Sequence, residues 1–114
     1  MIASEASVKG FLADLQVALQ EGFYLVPRKK NLESLALTGL TIQEVKDIIQ
    51  GLTAADYCRG PEEELDPRYP EGDVWLFEVT YLEVQYYVKL KIEDGRVKCL
   101  AFHESERWLG HPYR

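Results

Sequence analysis

The stretch VQYYVKLKIEDGRVKCLAFH, residues 84–103, sets Tyr87, Lys89 and Lys91 at every second position and closes with His103. Such alternation predicts a half-buried antiparallel strand, with Val84, Tyr86, Val88, Leu90 and Ile92 on its core face. Gln85, Tyr87, Lys89 and Lys91 then share the other face. That face is either ordinary solvated sheet surface or a site for an anion. An imidazole beside ammonium groups and a phenol adds proton transfer to a field that attracts negative charge. In a chain of net charge −6, a basic stripe of this kind needs a reason.

Which residues join the stripe depends on hairpin register. A two-residue Asp94-Gly95 turn sets Leu100 and Phe102 across from Lys89 and Tyr87, mixing apolar and charged residues on both faces. A three-residue loop with Gly95 in the left-handed bulge position shifts the pairing by one. Leu100 and Phe102 then share a face with Val88, Leu90 and Ile92. A one-residue slip flips every side chain, so burial favours the second register. It predicts Tyr87, Lys89, Lys91, Cys99 and His103 together on one face.

The elements that must hold this face come earlier in the chain. Val8, Phe11, Leu12, Leu15 and Leu19 recur at helical spacing and predict an amphipathic helix over 4–21, ending at Gly22. FYLVP reads as a short extended piece, because the residue before Pro27 is pushed out of the helical region. Gly-Leu-Thr occurs twice, at 39–41 and 51–53. Each copy predicts a left-handed glycine, a leucine staple and a threonine cap, and Thr41 with Glu44 forms a capping box. Helices are therefore expected near 32–38, 42–50 and 54–58, with Ile42, Val45, Ile48, Ile49 and Leu52 as a buried stripe. After Pro61, residues 73–81, 84–92 and 97–103 read as three strands, turning near Leu82–Glu83 and at EDGR. The expected architecture is α+β, with N-terminal helices on one face of a small antiparallel sheet.

At 114 residues the chain is expected to be one domain, and its 46% hydrophobic content suffices for a core. Its longest uncharged apolar run is too short to span a bilayer, and MIASEASVKG lacks a basic-then-apolar signal pattern. Two scattered cysteines, Cys58 and Cys99, predict a reducing cytoplasm. Two histidines without a CxxC make a zinc site an unexpected feature, and neither a metal nor a cofactor is expected. Net acidity repels a polyanion at long range. Residues 62–73 nevertheless hold six acids against one arginine, which leaves the remainder nearly neutral. Outside that solvated stretch, PRKKN at 27–31 and the Lys89/Lys91/Arg96/Lys98 hairpin are locally basic.

Taken in order, RKKN, LALTGLT, EVKDIIQGLTAADYCRGP, VWLF, YYVKLKI and VKCLAFHE resemble the MqsR family of bacterial toxins, small endoribonucleases of RelE-like fold. The resemblance runs from about residue 9 to residue 104. It rests on the Leu-Thr junctions, the Asp-Tyr-x-basic-Gly segment, the Tyr-x-Lys strand and the final Phe-His. It implies metal-independent cleavage of single-stranded mRNA and neutralisation by a cognate antitoxin, often one with zinc-ribbon and helix-turn-helix parts. It also implies site residues: Arg59 for the basic residue after the short third helix, then Tyr87, Lys89 and His103. Where the best-known member has a glutamine beside the strand tryptophan, this chain has Leu76 after Trp75, and His103 stands where that member has lysine.

Chemistry supports the same set independently. The 2′-hydroxyl of RNA can attack its own adjacent phosphorus. The protein must then supply a base for that hydroxyl, an acid for the leaving 5′-oxygen, and cations for the extra charge. Histidine as a residue type suits either proton-transfer role. Tyr87 is its counterpart if neighbouring cations lower its pKa, and otherwise a surface on which a base stacks. Arg59 and Lys89 supply fixed charge. Arg28, Lys29, Lys30, Lys91 and Lys98 are the further candidates for phosphate contact.

Plainer roles exist for each residue. The stripe can be the wet side of a sheet, His103 can be satisfied locally, and Arg59 can face the carbonyl end of its short helix. Trp75, Phe77 and Trp108 read as core or rim packing. Cys99 reads as a small buried residue before it reads as a reactive thiolate. A non-catalytic RNA- or protein-binding module, a decayed toxin on the same fold, is the alternative function, supported by Leu76. A DNA-binding regulator is disfavoured, because the middle helix exposes Gln43, Glu44, Lys46, Asp47 and Gln50, too acidic for a major groove.

Overall fold

A computed structural model of the chain describes residues 2–63, 65, 67 and 72–114. Helix α1, Glu5–Glu21, starts where the Ser4 hydroxyl oxygen accepts from the Ser7 N–H at 3.1 Å. It buries Val8, Phe11, Leu12, Leu15, Ala18 and Leu19. Strand β1, Phe23–Leu25, is the expected extended piece. Helix α2, Lys29–Thr38, ends at Gly39 with φ +74°, a left-handed position that suits glycine. Helix α3, Ile42–Gln50, opens with the Thr41–Glu44 capping box. The second Gly-Leu-Thr behaves differently. Gly51 has φ −86°, outside the left-handed region, and Thr53 opens only a single 3-10 turn, Ala54–Asp56. The helix expected over 54–58 stops there because Tyr57 enters strand β2, Tyr57–Glu63. Ile42 leaves the expected stripe too; at the first position of α3 it is 54% exposed.

Strands β3 (Asp73–Tyr81), β4 (Val84–Glu93) and β5 (Arg96–Glu104) form the expected meander. The full sheet has five strands in the order β1-β5-β4-β3-β2. Strand β2 pairs antiparallel with β3, whereas β1 joins β5 in parallel, so the sheet is mixed rather than wholly antiparallel. Sequence alternation did not reveal β2 because its pairing slips twice, between Tyr57 and Arg59 and again before Glu62. Gly60 also sits there at φ +119°, where an added Cβ would lie 2.7 Å from the Val74 carbonyl oxygen. Half of the expected solvated acidic stretch, residues 64, 66 and 68–71, lies outside the described residues.

The architecture is α+β. Apolar residues of α1 and α3 cover one sheet face, where Phe77, Tyr86, Val88, Leu90, Val97, Cys99 and Phe102 complete a single core. Burial of this face is the main stabilising term. The opposite face carries Leu76, Glu78, Tyr87 and Lys89, by strand alternation and pairing. No helix among the described residues is long and apolar enough to cross a membrane.

The β4–β5 register corrects the expectation. Asp94 and Gly95 both have left-handed φ, +52° and +73°, and form the two-residue turn that burial had argued against. From Glu93↔Arg96 to Leu90↔Cys99 the ribbon runs in that register, then slips by one residue, so that Lys89 faces Ala101 and Tyr87 faces His103. The extra residue is Leu100, a β-bulge five residues from Gly95, where a bulge was expected. Cys99 therefore lies in the core opposite Leu90, not on the basic face. Leu100 crosses to the face of Tyr87 and is buried there with Val26 and Val74, so burial is met without the three-residue loop.

A bulge leaves ladder groups unpaired, and here Asn31 takes them up. Its amide Nδ2 donates to the carbonyls of Val26 (2.8 Å) and Leu100 (3.1 Å). Its Oδ1 accepts from the Phe102 N–H at 2.9 Å. Asn31 is 1% exposed, so all three bonds lie away from water. One buried amide thus fixes the phase of β5 and anchors the first turn of α2 beside it.

Candidate active site

The bulge decides the site, because without it Phe102 rather than His103 would face Tyr87. As built, the Tyr87 and His103 rings stack with centroids 5.3 Å apart and planes inclined by 25°. They line a cleft of about 230 Å³ together with Lys30 from α2 and Arg59 from β2. The segment after β5 closes it with Ser105, Glu106, Arg107 and Leu109. That segment is pinned to the sheet: the Ser105 hydroxyl donates to the buried carboxylate of Glu78, on which His111 Nε2 also rests at 3.0 Å. The His111 contact is a matter of distance, since its ring N–H is not aligned for a hydrogen bond. Further on, the Tyr113 hydroxyl donates to the Ala3 carbonyl, and its ring stacks on Tyr57 at 5.9 Å.

His103 Nδ1 lies 3.0 Å from the Glu104 carbonyl oxygen. A carbonyl only accepts, so Nδ1 carries the proton and the neutral ring keeps its lone pair on Nε2. Burial pushes the Tyr87 phenol above its ordinary pKa, and the adjacent Arg59 guanidinium, pulling the other way, does not overcome it. The condition for Tyr87 to act as a base, a pKa lowered by cations, is therefore not met. It remains a proton donor.

The cleft cations have carboxylate companions at its rim. Lys30 Nζ stands 2.7 Å from Glu106 Oε1, and Arg59 Nε stands 3.1 Å from Glu62 Oε1. The Lys30 ammonium holds the Glu106 carboxyl below its ordinary range. Solvent screens exposed pairs of this sort and leaves them weak, so a phosphate can displace either carboxylate.

Arg59, Tyr87 and His103 come together, and Lys30 joins them. Lys89 shares the face, half-buried between Leu76 and Ala101, but does not line the cleft. Arg28 and Lys29 line a neighbouring hollow of about 440 Å³ that also reaches His103. Lys91 is 1% exposed, and Lys98 Nζ is 2.6 Å from Glu93 Oε2 at the hairpin end. Neither stands at the cleft. Both thiols are buried: the Cys58 pKa is pushed up to about 12 by burial and then by Glu78, and burial raises that of Cys99 as well. Phe77 is core and Trp75 stacks on Phe11 at 4.5 Å, but Trp108 is 86% exposed rather than packed.

Sequence reasoning missed Arg107, Leu109 and the Glu78–Ser105–His111 anchor. One signal existed: a charged run, HESER, follows directly on the strand that ends in the site imidazole. No protein-family model matches this chain, and neither a curated protein nor a solved structure matches it significantly.

Proposed function

We propose that the protein is a metal-independent endoribonuclease toxin that cleaves single-stranded mRNA in the cytoplasm and is neutralised by a cognate antitoxin. The observation that carries this reading is the convergence of His103, Tyr87 and Arg59 in one cleft, with Lys30 and Arg107 at its edge. In this scheme His103 Nε2 takes the proton of the 2′-hydroxyl as the 2′-oxygen bonds to phosphorus. The bond from phosphorus to the 5′-oxygen breaks, and the Tyr87 hydroxyl protonates that oxygen. Arg59, Lys30 and Arg107 stabilise the added charge on the phosphorane. The products carry a 2′,3′-cyclic phosphate and a 5′-hydroxyl. Lys89 acts at one remove, through its field on the same face.

The resemblance to the MqsR family supports the substrate class and the antitoxin. Leu76 favours a second reading, a non-catalytic RNA-binding module. It is buried at the point where the best-known member of that family has a glutamine, opposite Arg59 and Lys89. Brief induction in cells followed by mapping of transcript 5′ ends separates the two. New 5′-hydroxyl ends inside mRNAs, with arrested growth, are the expected result. Unaltered transcript ends from a folded protein that retains RNA would leave only the binding module.

A further inference from the structure

We propose that Trp108 is a stacking platform for a nucleobase of the strand whose phosphate occupies the Tyr87–His103 cleft, an inference that rests on the RNA reading of that cleft. Tryptophan is seldom left in water, yet this indole is 86% exposed. It borders a hollow of about 510 Å³ with Ile2, Cys58, Gly110 and Pro112 around it. Arg59 and Leu109 line both this hollow and the cleft, so the two are one side chain apart.

The backbone carrying Trp108 is held on both sides. Ser105 and His111 rest on the same buried Glu78 carboxylate, and the indole Cη2 lies beside Gly110, where an added Cβ would stand 4.0 Å away. An uncovered ring on a hollow that shares Arg59 with the cleft fits a base joined to a bound phosphate. Arg59 and Arg107 meet the charge, and the indole meets the π-face. Every base has a π-face, so the contact adds affinity without choosing sequence.

Short oligothymidylate tests this, because it lacks the 2′-hydroxyl and cannot be cut. An abasic oligonucleotide of equal length supplies phosphates alone. Oligothymidylate should quench the tryptophan fluorescence of the wild-type protein, and the quench should vanish in Trp108→Phe, which retains Trp75. Trp108→Ala should weaken oligothymidylate roughly 5- to 100-fold while leaving abasic binding unchanged, and Trp108→Phe should restore most of the affinity. Equal binding of both oligonucleotides to wild type and Trp108→Ala would overturn the platform and leave phosphate binding at the cleft standing. Failure of both to bind wild type would overturn the platform together with the RNA reading.

Discussion

The β4–β5 ribbon has two halves with similar sequence and opposite character. On the hairpin side of Leu100, Lys91 is buried and Lys98 is held by Glu93. On the far side, Tyr87 and His103 stack at an open cleft. Both halves belong to one alternating stretch, so alternation alone does not distinguish them. The difference comes from one inserted residue and the amide that satisfies it. Up to the bulge, apolar Val97 and Cys99 face the helices. Past it, the phase changes, Phe102 enters the core and His103 turns outward. A register device thus converts a sheet surface into a site.

The largest expected effect contrasts the two halves directly. His103→Ala should slow RNA cleavage by about 10²–10⁴-fold, whereas Lys98→Ala, at the hairpin end, should leave the rate unchanged, as single-turnover assays will show. Similar losses in both variants would erase the distinction.

Next comes the amide that separates the halves. Asn31→Ala leaves the Phe102 N–H and the Leu100 carbonyl without their buried partner, and should cost about 2–3 kcal/mol in a denaturant titration. Cleavage should fall as well, because His103 loses its fixed phase. A stability loss within about 0.5 kcal/mol would be that of an ordinary surface substitution and would show that something else holds the bulge.

A smaller effect concerns the anchor behind the cleft. Burial lowers the His111 pKa, reinforced by Arg114 and opposed by Glu78 and Asp56. The unfolded chain therefore binds this proton more readily than the folded one. Its contribution is fully present above the ordinary histidine value of about 6.5 and is lost as pH falls below it. Melting temperature should accordingly decline below that pH more steeply in wild type than in His111→Gln. Parallel curves would remove His111 from the linkage.

The smallest effect lies in the other hairpin. Leu82 and Glu83 both occupy left-handed backbone, at φ +48° and +68°, where side chains are disfavoured. Glu83→Gly should raise stability by about 1 kcal/mol without altering cleavage. A destabilised variant would show that the glutamate side chain contributes more than its backbone strain costs.

Local patterns in the sequence carried α1, the Thr41–Glu44 box, the three-strand meander and the joint presence of Tyr87 and His103 on one face. Each depends on residues close in the chain or on simple periodicity. What escaped depends on distant partners. The bulge needs Asn31, 69 residues from Leu100 and 71 from Phe102, and β2 needs Gly60 tight against Val74. Arg107 lines the cleft from the segment after β5, which Ser105 ties to the distant Glu78. Burial does govern the register, but a hydrophobic cluster on the second face also buries Leu100, so the bulge sits within β5 rather than at the turn.

The most direct measurement uses one RNA strand cut by the wild-type protein in EDTA, and the same strand with a single 2′-deoxy sugar at the cleaved position. The proposed chemistry predicts cleavage of the first with a 2′,3′-cyclic phosphate end, and none at that position in the second. Cleavage of the deoxy strand at the same rate, or a reaction abolished by EDTA, would contradict it.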